Sequence, residues 1–319
     1  GGRKGTGNVL ATLQDAGVPR FQGESSSVLR VETRHIPDKN HRYAALAADY
    51  AQLHSDMKPV VAQVSGVREQ KMVTDTIRQT LTERGMLSEK TVTVTQLKPV
   101  WLDSHSRKQI DSYREGMVME RWNADKKEVE RYTIDRVTPE TRSVTLLNSQ
   151  GQKQVMKLQQ FDSQWHAYQR QTMDVAQGEQ LTILAKQNKL SARDRVTVSG
   201  FMPNAILVNF KGKMHRIDVR DGVKADYGYV TAPGQQANDT GTVLLAASVR
   251  DTQPTLLNTA ARSGEHITVY TPLDKLETER RLSRSPVYQQ ARQLAGVEGL
   301  DAKAIEQAAD NAAHALWSK

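Results

Sequence analysis

The apolar residues of this chain change their period twice, from helical spacing to strand spacing and back, so a single layer architecture cannot account for all of it. In residues 41–56, Tyr43, Leu46, Ala47, Tyr50 and Leu53 recur at helical spacing and form one stripe to bury. Pro59-Val-Val-Ala-Gln-Val64 then reads as a strand and Ser65-Gly66 as a turn. Residues 68–84 follow as a helix closed by Gly85. Strand, tight turn and helix make one α/β unit.

After Leu102 the composition shifts. Residues 117–119, 129–137, 143–147 and 155–158 are short runs rich in β-branched and apolar residues, separated by turn signals at Asn123-Ala-Asp125, Pro139 and Asn148-Ser-Gln-Gly151. A second series occupies 181–184, 195–198, 205–208 and 215–219, with turns at Gly200, Pro203-Asn204 and Lys211-Gly212-Lys213. The expectation is two small antiparallel, barrel-like β modules of about 50 residues each, inserted between α/β pieces. The α/β character returns with strands at 242–246 and 266–270. A helix capped by Ser285 and opened by Pro286 comes next, and a last helix capped by Asp301 carries Ile305, Ala309, Ala312 and Leu316 on one face.

With 319 residues there is room for two or three compact units. No run reaches the roughly 18 apolar residues of a membrane span, so no membrane insertion is expected. The opening GGRKGTGN lacks a signal-peptide core and reads as an internal start within a longer protein. Cysteine is absent, which excludes disulfides, thiolate catalysis and sulfur-ligated zinc. The net charge of +8 favours an anionic partner such as nucleic acid.

Catalytic signatures are missing. GGRKGTGN carries Lys4 ahead of its last glycines, whereas a Walker A loop places the lysine after the loop, next to a hydroxyl. His35 and His41 flank Asp38 and the other histidines stand singly, so no metal site is expected. Ser65-Gly66 and Ser199-Gly200 lack the context of a nucleophile elbow. Contact with single-stranded nucleic acid fits better, because basic grooves with interleaved aromatic faces hold single strands. Candidate contacts are Phe210, Lys211, Lys213 and Arg216 on one hairpin, with Tyr113 beside Arg114; a solvated turn is the competing reading of the hairpin cations. Trp101, Trp122 and Trp165 are expected as apolar anchors of the core.

Three long stretches carry a resemblance: residues 60–70 (VVAQVSGVREQ) with Ile77, Arg78 and Gly85; residues 99–107 (PVWLDSHSR); and residues 116–138 (GMVMERWNADKKEVERYTIDRVT). Through them essentially the whole chain resembles the degenerate helicase unit of the conjugative relaxase-helicases of F-type plasmids (TraI-type), whose helicase parts are similar to RecD. The resemblance implies an α/β fold with small all-β modules: part of a RecA-like helicase domain with a 2B-type insertion containing an SH3-like barrel. The implied boundaries are 1–30 (end of the first RecA-like domain, or linker), 31–102 (part of the second), 103–225 (insertion) and 226–319 (remainder and terminal helices).

In active relatives one motif runs roughly T-x-H-x-S-Q-G. Here Thr231 and Gln236 remain, while Pro233, Gln235 and Ala237 replace the histidine, serine and glycine. Arg262 stands where the γ-phosphate arginine is placed, but Ala261 replaces a hydroxyl and Gly264 a basic residue. The resemblance thus implies a fragment that is no enzyme and needs no cofactor. Its parent would be a relaxase (transesterase) and an ATP-dependent 5'-3' DNA helicase. It further implies a monomer that binds single-stranded DNA, meets the parent's other domains and is recognised by the type IV secretion coupling protein. The protein would be cytoplasmic in the donor and translocated to the recipient. The expected translocation signal is Gly178, Glu179, Gln180, Leu181, Thr182 and Ile183, where Gln180 and Thr182 replace the family's two arginines. The alternative is a piece of a working ATP-dependent helicase whose Walker loop lies elsewhere.

Overall fold

The computed structural model describes residues 30–235 and 241–295. The chain divides into two compact units, one running up to Met86 and resuming at Tyr229, the other spanning Leu87–Gly228.

The first unit begins with β1 (Arg30–His35) and α1 (Lys39–Ser55), whose N-cap Asp38 accepts the His41 N–H at 2.9 Å. Tyr43, Leu46, Ala47 and Tyr50 are buried along α1, as their spacing predicts, while Leu53 is half-buried. Every residue of β2 (Val60–Val64) is buried, as expected of an interior strand of a parallel sheet. Helix α2 (Val67–Glu83) buries Val73, Ile77 and Leu81. It ends where Gly85 adopts a φ of 75°, with Met86 N–H bonded to Leu81 O and Gly85 N–H to Thr82 O. That pair of bonds is the Schellman closure that a left-handed glycine permits.

The second unit is all β. Strands β3 (Thr91–Val100), β4 (Val118–Asn123), β5 (Glu128–Thr138), β6 (Ser143–Leu147), β7 (Lys153–Lys157) and β8 (His166–Ala176) form an antiparallel sheet in the order β3-β8-β4-β5-β6-β7. Strands β9 (Gln180–Ile183), β10 (Arg195–Met202), β11 (Ala205–Phe210), β12 (Lys213–Asp218) and β13 (Ala225–Tyr227) form another, in the order β12-β11-β10-β9-β13. Residues 91–100, placed by composition with the α/β part, instead pair along their whole length with β8. The all-β unit therefore begins at Leu87 and not at 103, and it closes at Gly228 rather than 225. Strand β3 escaped the sequence pattern because Thr91–Thr93 are exposed and Pro99 interrupts its apolar run.

The first unit resumes with β14 (Val230–Thr231), β15 (Thr242–Ala246), α3 (Pro254–Ala260), β16 (His266–Thr271), α4 (Lys275–Leu282) and α5 (Pro286–Ala295). Its sheet is parallel throughout, in the order β1-β16-β15-β2-β14. One core cluster joins Val61, Val243, Leu245, Leu257, Val269 and Val287 across strands and helices. Ser285 caps α5 as expected, its Oγ accepting the Tyr288 N–H at 3.3 Å. The helix expected after Asp301 and the GGRKGTGN opening lie outside the described residues.

Gly264, expected at a helicase-motif position, leaves little room for a side chain. A Cβ there would lie 2.9 Å from Val243 Cγ2 and 3.2 Å from Gly241 O, at the entrance to β16. Gly264→Ala is expected to lower stability by about 1–3 kcal/mol through this overpacking, read as a fall in the thermal midpoint by calorimetry. An unchanged midpoint would show that the β15–β16 entrance yields freely.

Candidate nucleic-acid interface

The sequence candidates separate once placed in the fold. Tyr113 is 3% exposed, stacks on Phe161 with ring centroids 5.1 Å apart and donates its hydroxyl to Arg107 O at 2.7 Å. Burial pushes its pKa up to about 12. It is a core residue with no face for a base, although neighbouring Arg114 is exposed. The β11–β12 hairpin does bring Phe210, Lys211 and Lys213 together. Its turn has positive φ at Lys211 and Gly212, Asn209 Oδ1 accepts the Gly212 N–H, and the Lys211 ammonium sits 5.3 Å from the Phe210 ring centroid. Arg216 is exposed farther along the edge strand β12.

The expected signal enters β9 through a turn at Gly178, whose φ is 93°. Strand alternation then buries Glu179, Leu181 and Ile183 and leaves Gly178, Gln180 and Thr182 half-buried. Glu179 Oε1 accepts the Ala176 N–H at 3.2 Å, while Val198 exchanges backbone bonds with both Gly178 and Glu179. The Gln180 amide donates to Thr197 Oγ1 at 2.8 Å. Gly228 packs so close that a Cβ on it would meet Leu181 C at 2.8 Å. The glutamate and leucine of this stretch therefore hold the sheet together, and a partner could read only the other alternating positions.

Of the helicase-motif residues, Thr231 lies on β14 beside Gln63 of β2, its Oγ1 buried without a hydrogen-bond partner among the described residues. Arg262 follows α3 and is exposed, with Ala261 buried beside it. Gln236 lies outside the described residues.

The tryptophans depart most from expectation. Trp165 is 2% exposed, as a core anchor should be, but Trp101 is 80% and Trp122 is 58% exposed. All three line one cleft of about 1050 Å³ in the all-β unit. Trp122 stands outside the core because it sits near the turn end of the β4–β5 hairpin, opposite the exposed Val129. Trp101 directly follows β3, past the last residue paired with β8.

Cations approach the covered rings of the cleft, Trp165 and Tyr168. The Arg121 guanidinium lies 4.8 Å from the Trp165 ring centroid and is held there by Glu130 at 2.8 Å. Hydrogen bonds from Asn123 and Arg121 keep the Glu130 carboxyl below its usual range. Lys224 sits 4.9 Å from the Tyr168 ring centroid and pairs with Glu120 at 2.7 Å. Glu120, nearly fully buried, also takes Arg131 at 2.6 Å. Arg107 donates to the carbonyls of Asp162 and Trp165 at 2.7 and 2.8 Å, and Lys186 is exposed on the rim. The buried Trp165 Nε1 has no partner among the described residues. Aromatic faces beside guanidinium and ammonium groups are the physical requirement for holding unstacked bases. Composition alone could have raised the two exposed rings, but their exposure is not encoded in local periodicity.

No helix among the described residues is long and apolar enough to cross a membrane. Comparison with known proteins gives concordant matches. Residues 96–175 match the family described as the DNA relaxase TraI 2B/2B-like domain, and residues 38–90 the single-stranded DNA binding TraI N-terminal subdomain. Two curated relatives, both called multifunctional conjugation protein TraI, come from Escherichia coli strain K12 and from Escherichia coli. Each is 38% identical over 296 residues, which is 90% of this chain and 17% of the relative. The chain thus spans about one-sixth of the length of the curated relatives it matches. An α/β unit interrupted by an all-β unit that matches the 2B/2B-like family, joined to this identity along nearly the whole chain, identifies a TraI-like relaxase-helicase fragment.

Proposed function

We propose that this chain is a non-catalytic segment of a conjugative relaxase-helicase that grips single-stranded DNA. The observation that carries the reading is the exposure of Trp101 and Trp122 in a cleft that Arg121, Lys224 and Lys186 also line. Its partner is then the single strand, because duplex DNA keeps its base faces stacked and out of reach. The match of residues 38–90 to a subdomain named for single-stranded DNA binding supports a contribution from the first unit.

The five-stranded parallel sheet, interrupted after α2, supports reading the first unit as part of a RecA-like domain. The short antiparallel strands β9–β13 support an SH3-like module within the insertion. No ATP chemistry is assigned to the segment. Pro233 and Gln235 lack the side chains of the active motif, and Gly264 stands where a side chain would clash. The relaxase and 5'-3' helicase activities belong, in this reading, to other parts of the parent, and the segment works as a monomer without a cofactor. ATP hydrolysis stimulated by single strands, lost on Arg262→Ala in the longer protein, would favour the alternative of an active helicase fragment.

The segment also serves, in this proposal, as a translocation signal read by the type IV secretion coupling protein as the protein leaves the donor cytoplasm for the recipient. What supports this is the half-exposed face of β9 at Gln180 and Thr182.

Two outcomes check these readings. A fluorescent single strand should bind the chain more tightly than the same sequence as duplex. The Trp101→Ala, Trp122→Ala double variant should lose roughly tenfold or more in affinity by anisotropy; equal affinity of variant and wild type would remove the cleft from the interface. In the second experiment, the chain fused to a site-specific recombinase is scored for recombination in recipient cells. Changes at Gln180 and Thr182 should lower transfer with folding intact, whereas Glu179→Ala and Leu181→Ala should lower it by unfolding β9. Full transfer from a folded Gln180, Thr182 double variant would remove the signal from this face.

A further inference from the structure

The cleft contains cations, yet most of them are already committed to the protein. Arg121 is held by Glu130 at 2.8 Å and stacked on Trp165. Lys224 is 15% exposed in its side chain and bound to Glu120 at 2.7 Å. Arg107 donates twice, to the carbonyls of Asp162 and Trp165. Two carboxylates, Glu120 and Asp103, line the same space. A phosphate entering the cleft would have to displace these partners and approach a buried carboxylate, losing in desolvation and repulsion what it gained in attraction. Lys186 on the rim is the exposed cation of the cleft for which the structure shows no ion pair among the described residues.

Apolar and aromatic surface is abundant by comparison. Trp101, Trp122 and Val129 are exposed, and Tyr168 and Trp165 lie among the lining residues. Such surface gains nothing from phosphate and much from the face of a base.

From this imbalance we infer that the cleft takes nucleobases inward, stacked on Trp101 and Trp122, with the sugar-phosphate chain turned outward past Lys186. The inference rests on the single-strand reading above and deepens it: the ligand feature recognised is the base and not the phosphate. The Arg121–Glu130 and Lys224–Glu120 pairs then act as positioning groups. They hold cations over the faces of Trp165 and Tyr168 and keep phosphates out.

The consequence is an unusual division of the binding free energy. Each stacked base should contribute a factor of roughly 5 to 100, while one or two rim phosphates add only about −0.7 each to the slope of log K against log salt. A cleft tracking six phosphates would add about −4.

The test uses the whole chain and two labelled probes of about 12 nucleotides, one oligothymidylate and one of equal length carrying abasic sites at its centre. The abasic strand is expected to bind wild type at least roughly tenfold more weakly. That ratio should collapse towards one in Trp101→Ala, Trp122→Ala and be largely restored in Trp101→Phe, Trp122→Phe. The loss caused by the alanine pair should stay constant as salt is raised, and Lys186→Ala should make the salt slope shallower by no more than about 0.7. Equal binding of both strands to wild type, or an alanine-pair loss that disappears at high salt, would overturn the base-inward assignment while leaving single-strand binding intact. Binding of neither strand would instead defeat the underlying reading.

Discussion

Strand β3 is held on both edges, and the architecture of the all-β unit depends on it. On one side it pairs with β8 from Thr91↔Ala176 to Val100↔Ala167. On the other, Leu97 N–H bonds to Val223 O at 2.9 Å and Val223 N–H to Thr95 O at 2.8 Å. The segment leading into β13 is thereby stitched to the first sheet. Val94, Met173 and Val175 pack in one cluster with Leu181, Val196 and Ile206 of the second sheet. Two sheets that would each have had an apolar face open to water share one interior instead, and hydrophobic burial stabilises the arrangement.

The same junction contains a buried charge. Glu120 accepts Arg131 and Lys224 from opposite sides, and Lys224 belongs to the segment that β3 captures. A carboxylate removed from water needs full pairing, so the two sheets must be in register before the charge can be buried at acceptable cost. The pair adds specificity of alignment more than net stability. It also shapes the cleft, since Glu120, Lys224 and Tyr168 all line it. The arrangement that aligns the sheets thus determines where an anion can and cannot go.

The first unit is built around its buried parallel sheet. The parallel sheet keeps its buried strands, with Val61, Val243 and Ile267 in a common core. Near the strand entrances the packing is close: Gly264 lies against Val243 and Gly241, and Ala261 is fully buried. Gln63 donates to Ser263 at 3.1 Å, a polar tie between β2 and the approach to β16. These contacts lie around the exposed Arg262, which stands between the buried Ala261 and Ser263.

Periodicity alone was enough to place α1, β2, α2, most of the β series and the returning strands, because burial of one face imposes a period of 3.6 or 2 on the residues themselves. Continuous burial of β2 was equally readable in its run of small apolar residues. The long motif stretches around Val60 and Gly116 gave the family. Tertiary structure decided what depends on whether a facing layer exists. Trp101 and Trp122 are as apolar as Trp165, and nothing in their neighbours announces that one ring is covered and two are not. Tyr113 looked like a free aromatic beside a cation until Phe161, 48 positions away in sequence, was seen to cover it. Whether Glu179 and Leu181 were ligands or core was likewise unreadable, since alternation along β9 shows two faces without saying which one meets the other sheet. Local pattern specifies which residues share a face; only long-range pairing specifies what that face touches.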